Sequence, residues 1–260
     1  MHSESLIRLG SFVAILAMMF WSEGAFPKRA LSAPRLRRYL NNLAMGGMST
    51  LAVRIFLPVL PMGVALYCSA NQYGLLHQFA VPYWDACILT ILLLDFAVWL
   101  QHMLFHKVRA LWRVHRMHHA DVDIDASTAV RFHPIEIVLS FAYRGILVFI
   151  LGAPAAAVLV FDVLINCCAV FNHANVSLPP ALDRWLRLFV VTPDMHRVHH
   201  STDMREANTN YAFNFPWWDR MFGTYKAHPD KGHENMSIGL NIFRDAKYVS
   251  AIRMLAMPFL

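Results

Sequence analysis

Apolar and polar positions alternate along this chain in long blocks. Residues 6–22 form one apolar run interrupted only by Arg8 near its start. No small-residue cleavage site follows, so the run reads as an uncleaved membrane anchor and a first span. A basic stretch comes next, "PKRALSAPRLRRYLNN", with Lys28, Arg29, Arg35, Arg37 and Arg38, which reads as a cytoplasmic loop because Lys and Arg accumulate on that side. Residues 45–70 are apolar again but carry Arg54, Pro58 and Pro61, predicting a second, kinked span. Residues 84–106 predict a third long helix that ends in the Arg- and Lys-rich "QHMLFHKVRALWRVHRMHH" and so returns to the cytoplasm. Two shorter apolar segments, 135–151 and 154–172, meet at "GAP" and predict a helical hairpin near the lower limit of the roughly 17–25 residues a span needs. From residue 181 the chain turns more polar and reads as a cytoplasmic cap of short helices.

Composition agrees with this pattern. Of 260 residues, 57% are hydrophobic and 15% charged, with a mean hydropathy of +0.40. An ordinary soluble domain carries about a quarter charged residues, so a polytopic membrane protein is expected. The net charge of +6 does not point to nucleic acid, because the basic residues flank apolar runs instead of forming one stripe. Cys68, Cys87, Cys167 and Cys168 show neither a disulfide framework nor a CxxC metal spacing. The expected fold class is all-α: a membrane helical bundle of four to five spans or hairpin segments, with a histidine-rich cytoplasmic helical cap. The expected division is residues 1–83 (transmembrane helices and a basic loop), 84–226 (a catalytic domain) and 227–260 (a tail).

Histidine carries the chemistry. Of 14 histidines, eight fall in three tight groups: His102 and His106; His115, His118 and His119; His196, His199 and His200. Spacings of three and four place side chains one helical turn apart on one face, so each group forms an imidazole clamp. Imidazoles packed together without a metal would be poorly solvated and, if protonated, mutually repulsive. One tetrahedral zinc needs only three or four ligands, so eight imidazoles ask for two ions. The zinc-protease motif HExxH is absent, since arginine stands where its glutamate would be. An imidazole-rich cage for two transition ions suits iron. His2, His77, His228 and His233 belong to no clamp.

Carboxylates should sit just outside such a site. Asp95, Trp99, His102 and His106 share one stripe of the third helix, and Asp162, Asn166 and His173 repeat that spacing in the last hairpin helix. His173 is thus a ninth candidate ligand. Asp95, Asp162 and Asn166 read as partners of imidazole N–H groups, with a plain helix–helix hydrogen bond as the alternative. Asp194 reads as a helix N-cap overlapping that same supporting role. His133, before Pro134, can be a tenth ligand, a hydrogen-bond partner of the cluster, or a structural cap. Of Asp121, Asp123 and Asp125, at most one should reach the metals. The paired tryptophans of "FPWWDRMFGTY" read as an interfacial anchor.

HxxxH, then HxxHH, then a distant HxxHH, with the flanks "RFHPIE", "NHANV", "TPDMHRVHHS" and "NYAFNFPWWDRMFGTY", resemble the fatty acid hydroxylase and sterol desaturase superfamily over roughly residues 90–226. That resemblance implies an integral membrane di-iron enzyme that uses dioxygen and two electrons to hydroxylate or desaturate a lipid. It places the ligands on His102, His106, His115, His118, His119, His196, His199 and His200, with His173 matching an additional histidine. Where the family usually shows NYG this chain has Asn210, Tyr211 and Ala212, which alters a turn. The lipid would enter from the bilayer and the metals would lie on the cytoplasmic side. With no GxGxxG or CxxCH, electrons would come from a separate ferredoxin- or cytochrome-type donor, for which Arg109, Arg113 and Arg116 offer a basic surface, although topology alone accounts for them equally. Sterol, hopanoid, fatty acyl and related lipids all fit, with hydroxylation preferred to desaturation. The rival class is a membrane metal transporter, which would spread its ligands along a path near the bilayer midplane.

Overall fold

A computed structural model describes residues 2–260, with side chains from Glu4 onward. Five helical stretches are long and apolar enough to cross a membrane. Helix α1 (His2–Ala25) is followed by α2 (Arg35–Phe56), α3 (Pro61–Asn71), α4 (Leu75–Gln78) and α5 (Tyr83–Lys107). After α6 (Arg109–His119) come α7 (Pro134–Leu151) and α8 (Ala155–His173), then the short helices α9 (Pro180–Leu186), α10 (Pro193–His199), α11 (Met204–Ala207), α12 (Trp217–Met221), α13 (Gly232–Asn235) and α14 (Ala251–Ala256). The chain is a multi-pass, all-helical membrane protein. No strand occurs among the described residues beyond two isolated bridges.

The second span is broken where the prolines predicted, at residues 57–60, which separate α2 from α3. Pro58 and Pro61 supply no N–H to a continuous helix. At the end remote from the histidines, the tip after α3 meets the α7–α8 turn backbone to backbone. Gly74 and Gly152 both have positive φ, and a Cβ on Gly152 would lie 2.1 Å from the Tyr73 carbonyl oxygen. Only glycine fits there without displacing the turn. Between these elements Met62, Ala65, Leu94, Val98, Val148 and Phe161 form the buried core of the bundle. The outer faces stay apolar and open: Leu6, Leu9 and Trp21 on α1 are 68%, 60% and 66% exposed, as lipid-facing side chains are.

The basic stretch before the second span is not a loop throughout. Helix α2 already begins at Arg35, and Arg38 is 1% exposed. Its guanidinium is enclosed by the acids after α6: it donates to both oxygens of Asp121, through Nε to Asp125 at 2.7 Å, and to the Asp123 carbonyl at 3.0 Å. Asp123 accepts from the Ser32 and Ala33 amides just before α2, and Asp125 caps the 3₁₀ turn Ala126–Val130. The alternating acids are therefore the counter-charges of one buried arginine, and none joins the histidine groups. Glu23, in the last turn of α1, likewise accepts from the Ala126 and Asn175 amides, Tyr39 and Arg35. Together these contacts tie α1 and α2 to the segments that follow α6 and α8. Residues 227–260 also pack down, with Met254 and Met257 fully buried beside Met45 and Met117.

Candidate metal centre

The three histidine motifs come together where α5 and α8 end. Val108 is extended, closing α5 and opening α6, so the chain bends and brings His115 and His119 against His102 and His106. Helix α8 delivers His173 in its last residue, and α10, capped by the Thr192 hydroxyl, delivers His196 and His199 with His200 just beyond. All nine side chains are buried.

They divide into two groups. His102, His106, His115, His119 and His199 form one; His118, His173, His196 and His200 form the other, and within each the ligand atoms lie within 4.8 Å of one another. Each HxxHH motif is thus split, which differs from the expectation of one clamp per motif. The i, i+4 pair stays on one helical face and shares a group, while the histidine between them, about 100° further round, serves the other. The groups adjoin, with His119 and His200 rings stacked at 4.6 Å.

The hydrogen bonds fix which nitrogen faces inward. A carbonyl only accepts, so Nδ1–H of His102 donates to Tyr211 O at 2.6 Å, that of His199 to Thr209 O at 2.7 Å, that of His118 to Arg131 O at 3.1 Å and that of His173 to Ala169 O at 2.7 Å. His115 Nδ1–H donates to Glu136 Oε1 at 2.7 Å. Each Nε2 of these five is then an unprotonated lone pair aimed at its neighbours. His102 and His199 bring Nε2 atoms within 3.1 Å, as do His118 and His173, and neither member of either pair has a proton to offer. A metal ion bound between them would take up both lone pairs. Burial first, and neighbouring imidazoles second, push His118, His119, His196, His199 and His200 well below the usual histidine range.

Within the groups the Nε2 atoms of His102 and His115, His102 and His199, and His106 and His119 approach to 3.1 Å, and those of His118 and His173, His173 and His196, and His196 and His200 to 3.0–3.2 Å. The arrangement offers two candidate ion sites, one lined by five imidazoles that would hold one ion and one by four that would hold another. Phe132 stacks on His118 at 4.2 Å, Phe213 lies against His102 at 4.9 Å, and Trp112 against His106 at 5.0 Å, walling the centre from water.

Asp95, Asp162, Asn166 and Asp194 take up no imidazole N–H, so the structure follows the alternatives open to Asp162 and His133, a tie between helices and a helix cap. Asp95 accepts from Asn214 and from Trp218 Nε1, both at 2.7 Å, and not from an imidazole. Asp162 pairs with Arg8 at 2.9 Å and Arg144 at 3.1 Å, joining α1, α7 and α8 within the bundle. Asn166 turns back to the Asp162 carbonyl. Asp194 is not the cap of α10, a place Thr192 takes; it balances the buried Arg197 and Lys28. His133 caps α7, accepting from the Ile135 amide and donating to Leu255 O, and stands outside both groups. For His2, the side chain lies outside the described residues.

Two carboxylates escaped the sequence reading. Glu136 orients His115, and its place in the first turn after "RFHP" was the available signal. Asp219, fully buried, accepts from Trp99 Nε1 (2.9 Å), the Tyr211 and Ala212 amides (3.0 and 2.9 Å) and Thr224 Oγ1 (2.6 Å). Burial pushes its carboxyl up, against the pull of those donors. Asp219 thereby positions the Tyr211 carbonyl that holds His102. Trp218, bound to Asp95, belongs to the same clasp, so this tryptophan is a structural tie and not an interfacial anchor. The turn absorbs the altered NYG: Asn210 takes the left-handed conformation at φ 52°, which asparagine tolerates, and Ala212 does not.

Residues 87–224 match the fatty acid hydroxylase family. Ornithine lipid hydroxylase OlsE of Rhizobium tropici is 29% identical over 172 residues, covering 66% of this chain and 50% of that protein. Alkylglycerol monooxygenase of Homo sapiens is 31% identical over 156 residues (59% of this chain, 33% of that protein), and cholesterol 25-hydroxylase of Rattus norvegicus 29% over 145 residues (55% and 47%). The chain spans about half or less of the length of these curated relatives. No solved structure matches it. The match covers more than half of the chain and contains all nine clustered histidines, and the chain belongs to the fatty acid hydroxylase family.

Proposed function

We propose that this protein is a membrane di-iron oxygenase that hydroxylates a C–H bond of a lipid, with dioxygen as co-substrate and electrons from a separate ferredoxin- or cytochrome-type donor. The observation that carries this reading is the double imidazole cage: five and four Nε2 atoms converge, with paired lone pairs at 3.1 Å that metal ions would reconcile. When bound, the two irons supply dioxygen activation and abstraction of hydrogen from an unactivated carbon, consuming two electrons and two protons for each alcohol and water formed. The nine histidines hold the metals. Glu136 and the carbonyls of Tyr211, Thr209, Arg131 and Ala169 fix the ring orientations, so little reorganisation accompanies turnover. Phe132, Trp112 and Phe213 exclude water and with it the side reactions of a strong oxidant.

Placement supports a lipid substrate and a cytoplasmic electron source. The histidines gather where α5 and α8 end, one step from the bilayer, and not along a path through its middle as a transporter would require. The chain at that end carries Lys28, Arg29, Arg109 and Arg113, whereas residues 72–82 and 152–154 at the other end contain no Lys or Arg. That asymmetry supports a cytoplasmic metal end. The named substrates of the relatives, ornithine lipid, alkylglycerol and cholesterol, each join a hydrocarbon body to a polar end, and the substrate here is a lipid of that build. Purified protein should contain two irons and consume oxygen when given reductant and lipid, and cells carrying the gene should gain lipid species heavier by one oxygen. Two bound irons without reductant-dependent oxygen uptake on any lipid extract would refute the reading.

A further inference from the structure

Helix α6 carries three arginines on successive turns, and only one is spoken for. Arg116 donates to the carbonyl oxygens of Met257 at 2.6 Å and Leu260 at 2.9 Å. Arg109 and Arg113, both exposed, have no ion-pair or hydrogen-bond partner among the described residues. They line a groove of about 580 Å³ between α6, the start of α7 and the chain around Phe259. The rest of its wall is apolar, including Ala110, Val114, Ile135 and Phe259. Ile135 and Phe259 are 43% and 69% exposed.

The position of the groove is set by the spans. Arg109 follows the last residue of α5 by two positions, and Ile135 is the second residue of α7. Both points are where membrane-crossing helices leave the hydrocarbon, so the groove opens at headgroup level, with Arg113 about 6 Å from Arg109 along α6. Two unpaired guanidiniums over an apolar floor match an amphipathic anion: their positive charges pair with the phosphate, and the aliphatic wall takes the upper acyl chains. The volume falls in the range of ordinary ligand sites. A soluble acidic protein would need neither the apolar floor nor a site at this depth.

The geometry points to a binding site for the phosphate headgroup of a bilayer glycerophospholipid, seated between Arg109 and Arg113 with its chains against Val114, Ile135 and Phe259. The site stands apart from the metal cage and from the oxygenase reading, because it holds a lipid whether or not that lipid is oxidised.

Native mass spectrometry of the metal-loaded protein in detergent, titrated with dioleoylphosphatidylglycerol, tests the site. Dioleoylglycerol serves as the phosphate-free match and millimolar sodium phosphate as the free anion. Phosphatidylglycerol should bind well below the concentration needed for dioleoylglycerol, and sodium phosphate should not displace it. The double variant Arg109→Gln/Arg113→Gln should weaken binding about 30-fold, equivalent to about 2 kcal/mol, while Arg109→Lys/Arg113→Lys stays within a few-fold; both should keep wild-type melting and metal content. Equal binding of phosphatidylglycerol and dioleoylglycerol by the wild type overturns the proposal without recourse to any variant. Displacement by sodium phosphate would reassign the arginines to free anions. Unchanged lipid binding in the double variant, with only donor-dependent oxygen uptake lost, would reassign them to an acidic protein partner. Either result overturns the lipid site.

Discussion

His118 and His119 are adjacent in sequence yet belong to different metal groups, and the difference can be read as metal content. His119→Ala removes one of five inward nitrogens and leaves four, the number that the other group has from the start. His118→Ala removes one of four and leaves three, with His173 Nε2 deprived of the neighbour it meets at 3.1 Å. Loss of residues that merely orient a ligand costs about 10–100-fold in metal affinity. Loss of the ligand itself should meet or exceed the upper figure, so about 2.7 kcal/mol or more. After dialysis against a chelator chosen to leave the wild type with two ions, His118→Ala should retain about one ion per chain. His119→Ala should retain close to two, with the weaker ion lost only at higher chelator. Neither variant should support oxygen uptake, because both ions are needed. Elemental analysis of the detergent-purified proteins gives the count. Equal losses from the two variants, or retention of both ions by His118→Ala, would refute the division into five and four.

Three further outcomes follow from the supporting residues. Glu136→Ala should weaken the ion of the five-histidine group about 10–100-fold in a competitive chelator titration, with Glu136→Gln falling between, since its amide oxygen still accepts from His115; wild-type affinity in both would remove Glu136 from the site. Asp219→Ala strands four buried donors, costing about 4 kcal/mol or more at about 1 kcal/mol each, and should lower both the melting temperature and iron content through the Tyr211 carbonyl; a change in melting alone would confine Asp219 to stability. Arg38→Met leaves Asp121 and Asp125 buried without their cation and should cost about 3–5 kcal/mol, read as lost monodisperse protein, whereas the neighbouring exposed Arg37→Met should stay within about 0.5 kcal/mol.

Buried charge marks the limit of what the pattern of residues could tell. Arg38 sits among basic residues before a span, and nothing in its own neighbourhood distinguishes it from the exposed Arg37. Its three carboxylates lie more than 80 positions away, and their alternation, which excludes a shared helical face, records their enclosure of one guanidinium. Asp95 and Asp162 occupy similar stripes on two helices, yet one clasps the segment 214–218 and the other bridges α1 to α7. A stripe gives the face of a helix, whereas the partner on that face is set by packing.

By itself the sequence determined the five apolar stretches, the break at Pro58 and Pro61, the hairpin at Gly152 and the nine histidines, because hydrophobic length and helical spacing are local properties that chain order preserves. The tertiary structure alone decided how those histidines are divided between two groups and which atoms steer them. Four of the five orienting acceptors are backbone carbonyls, which every residue carries and no side chain announces; the fifth, Glu136, acts only because α7 begins against α6. Ligand identity is written along the chain, while coordination is a relation between distant segments that exists only once they pack.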